Sequence, residues 1–223
     1  MIVTIDGPAG AGKSSVARAL AGRLGFRFLD TGAMYRAVAL AAMERRVAWS
    51  ASDELAALSR QISLQFDGDR LLLDGRDVSD EIRDPSVAGV IHHVADHVGV
   101  REHLVELQRR EAERGDLVTE GRDQGTVVFP AAECKVFLTA TPEERARRRV
   151  AQDLAGGRIV QFDEVLQQIR ERDRRDETRP VGRLVPAADA VHVLTDGLTQ
   201  EQVVDRLQQL VSERQLAWRA NSA

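Results

Sequence analysis

Cysteine occurs once in this sequence, at Cys134, so no internal disulfide and no thiolate zinc site can form. A reducing compartment fits. Asparagine also occurs once, as Asn221, which rules out an N-K-x-D guanine-reading loop within the chain. No apolar run approaches the ~20 residues that a membrane-spanning helix needs. Excess positive charge is missing as well: the formal net charge is -4, whereas a nucleic-acid binder would more often be basic. The first residues, Met1-Ile2-Val3-Thr4-Ile5, carry no basic region or cleavage site, so no secretory signal is expected and a cytoplasmic location is. Lysine is nearly absent. Of 31 basic residues only Lys13 and Lys135 are lysines, which makes a lysine inside a chemical motif more telling than usual.

With 43% hydrophobic and 30% charged residues over 223 positions, the chain suits one globular domain with a small insert. Ile2 to Ile5 reads as a buried strand that runs into Asp6-Gly7-Pro8. Lys13 to Leu24 reads as a helix, with Val16, Leu20 and Leu24 at spacing four and Gly25 as its stop. Phe26 to Leu29 is a second strand and Ala33 to Arg46 a second helix. Strand, helix, strand, helix predicts a parallel sheet covered on both faces.

The pattern then changes. Residues 62–66 alternate, Asp67-Gly68-Asp69 turns, and Leu71-Leu72-Leu73 returns, which predicts a hairpin. Two polar helices are expected at about 84–96 and 99–114. Residues 61–114 thus read as an insert. Leu117-Val118-Thr119 and Val136-Phe137-Leu138 resume the core as short strands. Residues 142–175 are helical with a break at Gly156-Gly157, 190–194 form the last strand and 199–214 the closing helix. Residues 145–183 hold eleven Arg against seven Asp or Glu. Alone, such a stretch reads as a solvated helical face.

Gly7-Pro8-Ala9-Gly10-Ala11-Gly12-Lys13-Ser14 matches G-x-x-x-x-G-K-[ST] at every fixed position, after a strand and before a helix. Glycines let backbone N–H groups turn inward around phosphate oxygens, and the helix N-terminus adds partial positive charge. Lys13 can reach the β- and γ-phosphates, the Ser14 hydroxyl can ligate Mg²⁺, and Ser15 extends the polar lip. These residues imply binding of a nucleoside triphosphate. They leave open a kinase or a small regulatory nucleotide-binding switch.

Three further stretches carry convergent polar groups at strand ends, where open α/β sheets bind ligands. Asp30-Thr31-Gly32-Ala33-Met34-Tyr35-Arg36 follows the second strand, and could also be a plain helix cap. Glu120-Gly121-Arg122-Asp123-Gln124-Gly125 brackets an Arg-Asp pair between glycines. Arg172, Asp176 and Arg179 stand at i, i+4, i+7, one face of a helix if it runs that far.

Taken together, these residues resemble a known family. GPAGAGKSS, LDTGAMYR, EGRDQGTVVFP, ERAxRR (Glu144 to Arg149), ERDRRDETRP and LVPAADA occur in order, over nearly the whole chain, and look like bacterial cytidylate kinases of the long type. The resemblance implies an α/β fold: a P-loop three-layer core with a parallel five-stranded sheet, an α+β acceptor-binding insert (61–114) and a helical lid (145–183). It implies transfer of the γ-phosphoryl of ATP, with Mg²⁺, to CMP or dCMP in pyrimidine nucleotide metabolism, by a monomer. In that reading Lys13, Arg149 and Arg179 act in catalysis, and Arg101 and Asp123 read the cytosine. Arg172 and Asp176 hold the sugar, Arg36, Arg122 and Arg179 the acceptor phosphate, with Thr31 and Tyr35 beside them. Shikimate- and adenylate-kinase-like enzymes are the competing kinases; the first lack the insert and the second lack EGRDxGTVVFP. This chain departs from the family pattern where His92 aligns with a Ser and Val98 with a Pro.

Overall fold

The computed structural model describes residues 1–221, with side chains to 217. The first strand, β1 (Ile2–Asp6), is rich in β-branched residues and buried along nearly its whole length. It leads into helix α1 (Lys13–Leu24), which starts after a left-handed Gly12 and stops at a left-handed Gly25. The Gly25 stop lets Phe26 N–H close back on the Ala21 carbonyl. Val16, Ala17, Leu20 and Ala21 form the face of α1 turned to the core.

Next along the chain come β2 (Arg27–Asp30), α2 (Thr31–Glu44), α3 (Ser52–Gln61) and the strands β3 (Leu64–Asp67), β4 (Arg70–Leu73) and β5 (Arg76–Asp77). A 3-10 turn (Glu81–Arg83) precedes α4 (Pro85–Ala95) and α5 (Val98–Ala112). The remainder is β6 (Leu117–Gly121), a π-helical turn (Gln124–Val128), β7 (Cys134–Thr139), α6 (Pro142–Ala155), α7 (Phe162–Thr178), β8 (Val191–Leu194) and α8 (Gln200–Asn221).

Two compact units divide these elements: Met1–Leu29 with Arg114 onward, and Asp30–Glu113. The first is built on a five-stranded sheet in the order β2-β6-β1-β7-β8. β1 runs parallel to β6 and β7, and β7 to β8. Its core gathers Val3, Ile5, Leu20, Val118, Val136, Leu138, Val193 and Leu207, all but excluded from water. This is the expected α/β, P-loop architecture, and the central position of β1 brings the glycine loop to the carboxyl edge of the sheet.

The second unit packs α2 against α4, and α3 against α5. Its antiparallel sheet has three strands, one more than the sequence reading gives. The β4–β5 turn is Asp74-Gly75, with φ of 51° and 82°, the double positive φ of a type I′ hairpin. Helix α3 is also absent from the sequence reading, which assigns nothing to 47–60. It begins with Asp53 and Glu54 in the first turn and buries Leu55 and Leu58. The charged stretch forms two helices, α6 and α7, with Gly156-Gly157 between them, and the second reaches Thr178. No helix among the described residues is long and apolar enough to cross a membrane.

Candidate functional site

The glycine loop closes the first unit's sheet edge. Gly7 (φ 152°) has no alternative: a Cβ there would overlap the Leu138 carbonyl oxygen. Gly10 and Gly12, at φ 79° and 88°, keep the loop open and its backbone turned inward. Lys13 folds back over the loop and donates from Nζ to the Pro8 carbonyl (2.9 Å). Its nearest carboxylate oxygen, on Glu120, is 4.0 Å away. Burial, with Arg122 and Arg172 nearby, pulls the Lys13 pKa down to about 7, against the opposing pull of Glu120. A buried ammonium so weakly countered is built to receive an anion. The Ser14 hydroxyl donates to Glu120 (2.8 Å), so two hard oxygen donors stand together beside the lysine. That is the kind of protein contribution Mg²⁺ takes when phosphates and water complete its shell. Ser15, exposed, lends its carbonyl to Gln200 (3.2 Å).

Arg145 supports the loop from the side. Its buried guanidinium donates to the Ala9 carbonyl (3.1 Å) and the Ala140 carbonyl (3.0 Å), and pairs with both oxygens of Asp173 (2.9 and 2.5 Å). The side chain packs over Gly10, where a Cβ would sit 3.4 Å from the arginine's own. Arg148 binds Thr195 through its hydroxyl and carbonyl (3.0 and 2.7 Å). Arg149, singled out from the same arginine run, instead bonds Asp153 (3.1 Å), which Arg158 also holds (3.1 Å). It is half exposed, and its partners lie in that cluster rather than on the glycine loop.

At the end of β6 the chain makes the Arg122-Asp123 bend. Its geometry is set by Asp6, whose carboxylate accepts from the backbone N–H of Gln124 (2.8 Å) and Gly125 (2.7 Å). Thr119 adds a bond to the Gln124 side chain (3.0 Å). The Asp123 carbonyl then accepts from Val127 and Val128 (2.9 and 3.2 Å), which starts the π-helical turn. Gly125 packs tightly here, since a Cβ would sit 3.0 Å from Thr4 Oγ1 and 3.4 Å from the Asp6 carboxylate. Burial raises Asp6 to about 6 despite those two N–H donors.

Arg122 donates from Nε to Asp176 (2.8 Å). Burial opposes the Asp176 charge, yet Arg122, Arg172 and Arg179 together hold its carboxyl below the usual range. Arg179 falls one residue beyond α7, in extended backbone, so it is not on the helical face anticipated for it. It returns by another route. Its Nε donates to the Gly182 carbonyl (2.6 Å), and its Nη1 stays 3.9 Å from Asp176. The first unit thus brings together Lys13, Ser14, Glu120, Arg122, Asp123, Arg172, Asp176 and Arg179.

In the second unit Asp30 does cap α2, accepting from Ala33 N–H (2.8 Å), and also holds Arg36 (3.2 Å). The Arg36 Nε is buried with no hydrogen-bond partner among the described residues. Thr31 is buried at the head of the same helix, and Tyr35 lies under Arg101, whose guanidinium carbon is 5.6 Å from the ring centre. Arg101 is itself buried and donates to the Ala95 carbonyl (3.2 Å). His92 leans on His93 (4.0 Å), which stacks on Trp49 (5.0 Å, 10°).

Glu120, Asp6, Arg145 and Arg148 are functional neighbours that the sequence reading does not single out. Glu120 had a signal: an acid at the end of an apolar strand run. Asp6 ends such a run too, but the backbone partners that give it a role lie more than a hundred residues away.

Comparison with known proteins gives a consistent result. The family model described as cytidylate kinase matches residues 3–213. A cytidylate kinase of Rhodopirellula baltica is 51% identical over 223 residues, covering 100% of this chain and 97% of the relative. One from Pelotomaculum thermopropionicum is 50% identical over 215 residues, covering 94% and 95%. Among solved structures, a shikimate kinase of Bacteroides thetaiotaomicron shares the fold at TM-score 0.51 and 17% identity, over 95% of this chain and 98% of that one.

Proposed function

The chain belongs to the cytidylate kinase family, and on that premise we propose that it moves the γ-phosphoryl of ATP onto CMP and dCMP, giving CDP and dCDP. The observation that carries the reading is Lys13, buried in a glycine cradle with its nearest carboxylate oxygen at 4.0 Å. A triphosphate supplies the missing negative charge. Ser14 and Glu120 offer the oxygens for Mg²⁺, which when bound neutralises charge on the transferring phosphates. Lys13 places its ammonium where charge develops, and Arg122, Arg172 and Arg179 supply donors on the acceptor side.

Asp123 accepts from the cytosine amine and Arg101 donates to the ring acceptors. Uracil would turn an oxygen toward Asp123 and leave it unpaired, which is how a small site rejects a near-isostere. Arg36, with its buried unbonded Nε, suits the acceptor phosphate, beside Thr31 and Tyr35. Arg172 and Asp176 serve the sugar. Residues 61–114 act as the acceptor-binding insert and 145–183 as the lid, in a cytoplasmic monomer.

Asp123→Asn tests the base assignment. An amide can donate to uracil O4, so the variant should lose CMP turnover and gain in UMP relative to CMP. An unchanged CMP/UMP ratio would remove Asp123 from base reading.

A further inference from the structure

We infer that His97 is a positioning residue for the acceptor base: it caps α5 and so fixes the turn from which Arg101 extends. The inference rests on the reading of Arg101 as a base contact. His97 stands just before α5, and its Nδ1 accepts from the backbone N–H of Val100 (3.2 Å). Its Nε2 lies 2.7 Å from the Ser52 hydroxyl, at the head of α3. For Nδ1 to accept, the ring must be neutral with its proton on Nε2, and that proton then points to Ser52. One ring therefore ends the orphan N–H of one helix and ties it to the start of another.

Short polar residues, not histidine, are the usual caps. What the imidazole adds is reach. The start of α5 is drawn close to α3: a Cβ on Gly99 would lie 3.1 Å from the Ala56 Cβ and 3.6 Å from His97 Cε1. Arg101 is one turn further, its N–H bonded to the His97 carbonyl (3.0 Å). Side chains on a helix lean toward its N-terminus. Arg101 does so here, reaching back to the Ala95 carbonyl (3.2 Å). Its guanidinium is thus placed by the 95–98 turn that His97 closes, and a loosened cap displaces the arginine directly.

The test compares His97→Ala, His97→Asn, Ser52→Ala and Arg101→Met by steady-state kinetics with ATP and CMP or UMP. Losing the cap should raise the KM for CMP about fivefold, the scale of one lost helix cap. The CMP/UMP preference should narrow, while the KM for ATP stays at the wild-type value. Asparagine, a good cap, should bring the CMP KM back within about twofold of wild type. Ser52→Ala, which leaves the cap but frees the ring, should fall between. The inference is overturned if His97→Ala keeps wild-type KM and base preference, if it shifts both substrates' KM equally, or if His97→Asn behaves like alanine. Because asparagine retains a cap, it decides the matter even where alanine fails to fold. Arg101→Met separates the two layers: if it keeps CMP preference, the base reading itself is wrong. If it loses preference while His97→Ala does not, only the role of His97 fails.

Discussion

Asp6→Asn is the most informative single change in the first unit, because stability and activity should part company. The carboxylate is 4% exposed and accepts two backbone N–H groups at 2.8 and 2.7 Å. Asparagine can accept one of them, but its amide then turns N–H toward N–H. A buried donor left without a partner costs about 1–3 kcal/mol. Against this stands the cost of burying the charge. A pKa raised from 3.8 to about 6 corresponds to about 3 kcal/mol at neutral pH. The two effects nearly cancel, so urea unfolding at pH 7.5 should show a change of no more than about 2 kcal/mol. Activity has no such compensation. The Arg122-Asp123 bend hangs from those two bonds, and a shift of about 1 Å there should lower kcat/KM for CMP roughly ten- to a hundredfold.

The pH dependence has a definite sign. Asp6 holds its proton in the folded protein up to about pH 6, whereas the unfolded chain releases it near 3.8. Its contribution to stability is therefore greatest below the lower value and is lost as pH rises through the upper one. Lys13, Arg122 and Asp123 are the charged groups facing it, and they stay in the variant. The stability of wild type minus Asp6→Asn should fall between pH 4 and 6.5. A difference that is flat with pH, or a variant with full activity, excludes this role for Asp6.

Lys13→Ala should lower kcat about a hundred- to a thousandfold and leave the KM for CMP nearly unchanged, since the charge it removes acts on the transferring group; kcat within threefold of wild type would contradict the cradle reading. Residues 145–183 should exchange amide hydrogens faster in the free protein than with a bisubstrate analogue, as a water-excluding lid must; equal protection would mark a static face. Asp176, already satisfied by Arg122 at 2.8 Å, need not depend on a 2′-hydroxyl, so dCMP should come within roughly tenfold of CMP in kcat/KM. Asp176→Ala should raise KM for both substrates, and discrimination of a hundredfold against dCMP would exclude the sugar contact.

How much of this was legible in the sequence depends on how local the cause was. The run from Ile2 to Leu24 was readable because strand, glycine loop and helix are specified by adjacent residues, and the structure repeats it as β1 and α1. The Asp67-Gly68-Asp69 turn is equally local, and β3 and β4 close across Gly68-Asp69. Helix α3 was passed over because only Leu55 and Leu58 mark its buried face and no glycine or proline brackets it. The arginine run 145–149 shows a harder limit. Which arginine meets the loop is decided by helix phase and by competing acids: Asp173 and the Ala9 carbonyl take Arg145, whereas Asp153, one turn on, takes Arg149. Asp6 was invisible because its role arises only once β1 lies beside β6. Spacing puts Arg179 on the helical face only if the helix runs that far, and it ends at Thr178.

Phosphorylation of cytidylate, with selection of its base, is open to a single measurement. Coupled ADP release, measured with ATP and Mg²⁺ against CMP, dCMP, UMP and AMP in parallel, tests it most directly. Release should be rapid with CMP and dCMP, and kcat/KM for UMP and AMP lower by about a hundredfold or more, the discrimination expected when buried polar groups are left unpaired. Turnover of UMP equal to that of CMP would contradict base reading, and release with AMP alone would contradict the assignment as a whole.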